Sequence, residues 1–143
     1  MRWPGKITPG VSDALVSLVD LQATAAAAAG VELSAQEAPD SFNLLPLLSG
    51  RDKEEPRDHL VVMSGMGDLA IREGSWKYIP DLAVADGWGA GKKKAGKAAR
   101  PGLYDLSKDQ GETQNLHETK PEVSKRLAAR LAKVRSQPAT RPQ

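Results

Sequence analysis

Few side chains in this chain are suited to chemistry, and they are scattered. There are two histidines, His59 and His117, and no cysteine. A three-imidazole metal site and a thiolate nucleophile are both excluded by those counts. Asp58 precedes His59, an acid beside an imidazole, but the pair sits at a strand entry and in no metal-ligand spacing. His117-Glu118 lacks the second histidine of a zinc-binding His-Glu-x-x-His helix. Asp109, Glu112 and Asn115 gather oxygen donors in one short stretch. Asp and Asn also brace turns through nearby backbone, and that is the role expected here. Lys92, Lys93, Lys94, Lys97 and Arg100 face a single anion, Asp86, between residues 86 and 100. Such a run suits weak, salt-sensitive contact with an anionic polymer, against the plainer reading of a solvated surface insertion. The turn containing Ser64, Met66 and Asp68 is the stretch best suited to edge a pocket, because loops on a rigid scaffold carry ligand contacts.

The elements that must hold these groups follow from periodicity and turn residues. ALVSLV (Ala14–Val19) is an almost continuous apolar run that suits a buried strand, though its length alone does not exclude a helix. Asp20 stands where a helix N-cap belongs, Leu21–Ala29 is a strong helix former, and Gly30 is a natural stop. SFNLLPLLSG needs burial for its leucines, while Pro46 argues against one uninterrupted helix. His59–Ser64, Leu69–Glu73 and Trp76–Ile79 are strand candidates joined by short turns, which makes an antiparallel meander the simplest arrangement. Trp76 is expected to pack, Lys77 to face solvent and Arg72 to serve a turn or a neighbouring strand. Residues 81–100 read as a flexible basic loop and Gly102–Leu106 as a fourth strand. Glu118 to about Arg135 is a helix with Pro121 in its first turn and Thr119-x-x-Glu122 resembling a capping box. Val123, Leu127, Leu131 and Val134 give it one apolar stripe.

The fold class expected is α+β: a small antiparallel sheet of about four strands packed by a C-terminal amphipathic helix, and preceded by a strand–helix segment. Three regions are expected, at 1–58, 59–135 and a disordered tail at 136–143. The 143 residues carry 20 basic and 18 acidic side chains, a balance that speaks against a nucleic-acid binder. Much of the 40% hydrophobic content is alanine, so the core is expected to be thin. No apolar run approaches the roughly 18 residues of a membrane span, and Trp3-Pro4-Gly5 stands where a signal peptide would be apolar.

Several stretches, in register, resemble the sulfatases of the arylsulfatase type. RWPGKITPGVSDALVSLVDL is similar to that family's Trp-Pro-Gly-Lys-Ile turn followed by Val-Ser-Asp and a strand ending in Asp-Leu. SFNLLPLLSG, DLAIREGSWKYI and GLYDLSKDQGETQNL resemble its later motifs, in the family's order, from Arg2 to about Arg135. Two departures stand out. Met63 occupies a position where many members carry histidine. The family's Asp-Leu-x-Pro-Thr-Leu helix reads Asp20-Leu21-Gln22-Ala23-Thr24-Ala25 here, with proline and leucines replaced by alanine.

The resemblance implies a C-terminal fragment of a sulfuric ester hydrolase, entered after the catalytic portion, with the strand–helix segment belonging to the parent α/β domain. The parent family implies calcium and a formylglycine made from Cys or Ser in a Cys/Ser-x-Pro-x-Arg motif. Neither is expected in this chain. Ser136-Gln137-Pro138-Ala139-Thr140 places Arg141 one residue late. No catalytic or metal residue is therefore carried over, and the chain is expected to be inactive alone. It is expected to act as the structural complement of the missing catalytic domain. The alternatives are a stand-alone non-catalytic module that binds sulfated polysaccharide through its basic loop, and a non-functional truncated gene product. The family also suggests a periplasmic or secreted location, and the exposed front strand suggests self-association.

Overall fold

The structure, a computed structural model, describes residues 1–34, 36–51, 55–64, 68–80 and 101–141. The chain divides into two compact units, Met1–Asp58 with Ser136–Gln143, and His59–Arg135.

The first unit holds helix α1 (Asp20–Ala28) and the single turn α2 (Leu45–Leu48). Both end in the same way, and the sequence explains why. Gly30 and Gly50 take positive φ, 72° and 69°, a conformation that costs glycine no Cβ clash. The Gly30 and Val31 N–H groups then return to Ala27 and Ala26, and those of Gly50 and Arg51 to Leu47 and Pro46. These paired bonds satisfy the last carbonyls of each helix. Pro46 falls in the first turn of α2, where its missing N–H removes no helical bond. Little apolar area is buried in this unit: Leu15, Ala23 and Leu44 lie inside, together with the polar side chains of Asp20, Thr24, Ser41 and Arg57. Hydrogen bonds must therefore do much of the work that a larger core would do elsewhere.

Two expectations are corrected here. Ala14–Val19 forms no strand and lies in irregular chain ahead of α1, because a strand exists only against a partner and none adjoins it within this unit. Asp20 is the first residue of α1 rather than its cap, which is Val19. The carboxylate instead turns back to accept from Ser17 N–H at 2.7 Å and across to accept from Phe42 N–H at 3.0 Å. Thr140 donates from both its N–H and its hydroxyl to Asp40, and the Arg141 guanidinium donates to the carbonyls of Ser34 and Glu37.

The Ala23 N–H donates to Ser41 Oγ at 2.8 Å, in a buried setting. Position 23 is where the resembling family has proline, which carries no N–H. Ser41 thus supplies an acceptor for a donor that the alanine introduces. Ser41→Ala is expected to destabilise this unit by about 1–3 kcal/mol, the cost of an unsatisfied buried donor. Adding Ala23→Pro should recover part of that loss, as measured by urea unfolding. Simple additivity of the two changes would sink this account.

The second unit is the expected meander. Strands β1 (Leu60–Met63), β2 (Leu69–Glu73), β3 (Trp76–Ile79) and β4 (Gly102–Asp105) pair antiparallel in sequence order, and helix α3 (Pro121–Arg135) packs on the sheet. Gly74, at φ 56°, opens the two-residue β2–β3 turn, where mirror-image hairpin turns ask for glycine. The register sets Val61, Ile71, Tyr78 and Leu103 in one row across the four strands. Leu127 and Leu131, one turn apart on α3, cover that row. Trp76 packs against the same cluster, as alternation requires. The capping box is not formed, since the Thr119 hydroxyl donates to the Leu116 carbonyl instead. Among the described residues, no helix is long and apolar enough to cross a membrane.

Candidate functional site

The β1–β2 turn that was expected to edge a pocket is closed by its own polar groups. Ser64 N–H donates to the Asp68 carbonyl at 2.8 Å, and Asp68 N–H donates to Ser64 Oγ at 3.1 Å. Met66 lies outside the described residues, as do Lys92, Lys93, Lys94, Lys97 and Arg100. The structure therefore locates two of the eight candidate residues, Ser64 and Asp68, and brings them together.

Both histidines are engaged in contacts within the second unit. His59 Nδ1 lies 3.2 Å from a guanidinium nitrogen of Arg130. Glu73, two residues beyond Ile71 on the helix-facing side of β2, pairs with Arg126 and with Arg130, the latter at 3.2 Å. His117 Nδ1 is 3.1 Å from Ser124 Oγ, and its ring lies beside Tyr78 with centroids 6.4 Å apart. Ser124 is buried in α3, so this serine–histidine contact fastens the helix start to its preceding loop and offers no accessible nucleophile. Among the described residues, no three His, Asp or Glu side chains gather closely enough to hold a metal ion.

The oxygen-rich stretch after β4 braces its own backbone, as expected. Asn115 Oδ1 accepts from Leu103 N–H and His117 N–H, and its amide donates to the Pro101 carbonyl. Glu112, at φ 54°, reaches Lys77 Nζ at 2.6 Å. Arg72 donates to the Gly74 carbonyl within its own turn. The Ser107 hydroxyl, at 2.6 Å, holds the Asp105 carboxyl below the usual carboxylate range. The Gln114 N–H, at 2.8 Å, does the same for Asp109. A depressed carboxylate stabilises the fold above its ordinary pKa of about 3.9 and stops doing so as pH falls through the lower folded value. The loop after β4 should therefore keep its amide-exchange protection at pH 4 and lose it as the pH falls further. Asp109→Ala should remove that pH dependence at Gln114.

A buried polar constellation that sequence reasoning missed lies in the first unit. The Asp20 side chain is fully buried, and Arg57, almost as deeply placed, donates to it and to the Asp40 carbonyl at 3.2 Å. The guanidinium lies 4.5 Å from the Phe42 ring centre. Thr24 Oγ1 donates back to the Asp20 carbonyl and accepts from Leu44 N–H. The bonds from Phe42 and Leu44 tie α1 to the segment before α2, and Arg57 adds the segment that follows α2. In the same unit, a cavity of about 900 Å³ lies between the Trp3-Pro4-Gly5 turn and Leu47, Leu48 and Gly50. One half of the signal was present, a lone acid between apolar residues on both sides, but its partner Arg57 sits in the charged run Arg51–Asp58 and nothing in the sequence singles it out.

No family model matches the chain. It is 36% identical over 95% of its length to the N-acetylgalactosamine-6-O-sulfatase of Bacteroides thetaiotaomicron, and 38% identical over 80% of its length to human arylsulfatase A. It covers 26% and 24% of those proteins. A solved structure of a 6S-sulfatase from the same bacterium, described within a locus for the metabolism of multiple glycosaminoglycans, superposes with a TM-score of 0.77. It shows 35% identity, over 95% of this chain and 28% of its own. A solved 2-O GAG sulfatase gives a TM-score of 0.54 at 26% identity, over 80% of this chain and 23% of its own. The chain thus spans about a quarter of the length of the relatives it matches. Over nearly its whole length, it corresponds to a portion of a sulfatase of the arylsulfatase type.

Proposed function

We propose that the chain is the C-terminal portion of a sulfuric ester hydrolase. In this reading it completes the fold of a catalytic portion that it does not contain, and it hydrolyses no sulfate ester alone. The observation that carries this is the breadth of the match set against its partial reach: 95% of this chain, but 26% of the relative. The family implies calcium and formylglycine, and the residues present do not fit either group. The chain has no cysteine and no Ser-x-Pro-x-Arg in frame, and its described residues hold no cation-binding cluster. No catalytic step is assigned to it. Sulfate transfer needs a nucleophile, a cation on the sulfate oxygens and an acid on the leaving oxygen. Those roles fall to the catalytic portion, the proposed partner. The relatives' names make a sulfated glycan the first substrate class to test, and a periplasmic or secreted site fits that class.

The test is turnover of an aryl sulfate with excess calcium, using protein free of host sulfatase. The expected result is none from this chain alone. Turnover is expected once the catalytic portion of the Bacteroides N-acetylgalactosamine-6-O-sulfatase, produced separately, is added. Saturable turnover by the chain alone that vanishes in His59→Ala or His117→Ala would overturn the reading.

The charge of residues 86–100 supports a second, subordinate role: weak attachment to sulfated polysaccharide through Lys92, Lys93, Lys94, Lys97 and Arg100. Replacing Lys92–Lys94 by serine should lower the salt needed to elute the chain from heparin. An unchanged elution would discard this role.

A further inference from the structure

Two cations of the first unit, Lys6 and Arg51, line one small cavity. Closed backbone sets where each stands. The N–H groups of Lys6 and Ile7 donate to the Trp3 carbonyl at 3.0 and 2.9 Å, with Gly5 at φ 75°. The Arg51 N–H donates to the Pro46 carbonyl at 3.0 Å, directly after Gly50. Among the described residues, neither the Lys6 ammonium nor the Arg51 guanidinium makes an ion pair. Arg57 and Arg141, in the same unit, are both engaged.

The walls of the cavity select a ligand. Its volume is about 300 Å³, and its other walls are mostly apolar, with Trp3, Ile7 and Leu45 among them. That is enough room for one sugar-sized ring. Two cations without partners ask for an anion, and a guanidinium fork suits an oxyanion with several oxygens. Trp3 is 37% exposed and offers an aromatic surface to a flat, weakly polar face. A pyranose that carries a sulfate ester meets both demands, through its C–H face and its oxyanion. An inorganic anion would leave the indole uncovered, and an unsulfated sugar would leave the cations unanswered. The larger cavity of about 900 Å³ shares Trp3, Ile7 and Ser49 with the smaller one, so a saccharide longer than one unit can continue into it. Gly10 and Val11 line that continuation, and among the described residues their main-chain N–H and C=O groups have no hydrogen-bond partner. They supply donors and acceptors for sugar hydroxyls.

We propose that Trp3, Lys6 and Arg51 form a non-catalytic binding site for a sulfated sugar unit, with the sugar ring on Trp3 and the sulfate held by Lys6 and Arg51. The choice of a sulfated sugar rests on the reading of the chain as a sulfatase portion. The site uses none of the cations at residues 86–100.

The test titrates N-acetylgalactosamine 6-sulfate into the 143-residue chain at low salt and follows the indole N–H resonances of Trp3 and Trp76. Trp3 should shift saturably, while Trp76, packed against the core of the second unit, should not. Unsulfated N-acetylgalactosamine and inorganic sulfate should each bind at least about tenfold more weakly, the worth of one charge-assisted hydrogen bond. Lys6→Gln and Arg51→Gln should each weaken binding of the sugar sulfate at least about fivefold. Both side chains are exposed and unpaired, so these variants keep the fold. Lys120→Gln, at an exposed lysine in the second unit, should change nothing. An unmoved Trp3 resonance overturns the site, and so does inorganic sulfate binding as tightly as the sugar sulfate. Binding that disappears when Lys92–Lys94 are replaced by serine also overturns it, in favour of that run. None of these results touches the sulfatase reading, which complementation turnover tests separately. Saturable binding at Trp3 without turnover on complementation keeps the site and sinks that reading.

Discussion

Replacing Asp20 by alanine is expected to cost the first unit about 3–5 kcal/mol, the range for removing one partner of a buried ion pair. The carboxylate is fully buried and its guanidinium partner nearly so, so neither charge can turn to water when the other is lost. Asp20→Ala would also orphan the N–H groups of Ser17 and Phe42, each now bonded to a carboxylate oxygen. Arg57→Met is expected to cost less. It leaves a buried carboxylate with two backbone donors still bound to it. The double variant, Asp20→Ala with Arg57→Met, should be less destabilised than the sum of the two, because the stranded charge is gone. Urea unfolding followed at the Phe42 and Leu44 amides measures each term. An Asp20→Ala loss below about 1 kcal/mol, the value of a surface pair, would show that water reaches the site.

That constellation marks the limit of what the sequence made legible. The sheet of the second unit could be read because its signals are local. Alternation within LAIRE and WKYI sets which side chains face inward, and Gly74-Ser75 fixes the register between them. Tyr78 and Ile71 then meet without further information. The apolar stripe on α3 was equally local, and Leu127 and Leu131 lie in the core. Asp20 reads locally as a helix cap. Besides Ser17, its partners are 22 and 37 residues away, and only the folded chain brings Phe42 and Arg57 to it.

The front strand failed for a related reason. Apolar content and branching at Ala14–Val19 record that the segment is built to be buried, but strand geometry needs a pairing partner, and the pattern does not say where one lies. At the candidate turn, Ser64 and Asp68 are joined by two hydrogen bonds, while Met66 lies outside the described residues. The loop after β4 sits between these cases. Its Asp and Asn residues were legible as braces, while the pairing of Glu112 with Lys77 across 35 positions was not.

Leu127→Ala is expected to be the most damaging single truncation in the second unit. Leu127 is completely buried and packs in one cluster with Ile71, Tyr78 and Leu103, from three strands. Removing a buried leucine side chain to alanine costs about 2–5 kcal/mol, and the upper part of that range applies where the surroundings cannot close over the cavity. Here they are held from both sides. The sheet row is fixed by three antiparallel pairings, and α3 is tied at its start by His117 to Ser124 and along its length by Arg126 and Arg130 to Glu73. The helix cannot slide inward without breaking those bonds, so the cavity should persist. For a unit of this size, the loss corresponds to a fall in thermal midpoint of roughly 10 °C or more. Leu127→Met, which keeps the volume, should cost less than about 1.5 kcal/mol. Ala132→Ser, on the exposed side of the same helix, should stay within about 0.5 kcal/mol. Thermal unfolding of the three variants, with exchange at the Ile71 and Leu103 amides as a local probe, separates these outcomes. If Leu127→Ala and Ala132→Ser shift the midpoint equally, α3 is not seated on the sheet through this residue. The row Val61–Ile71–Tyr78–Leu103 must then be covered by something else.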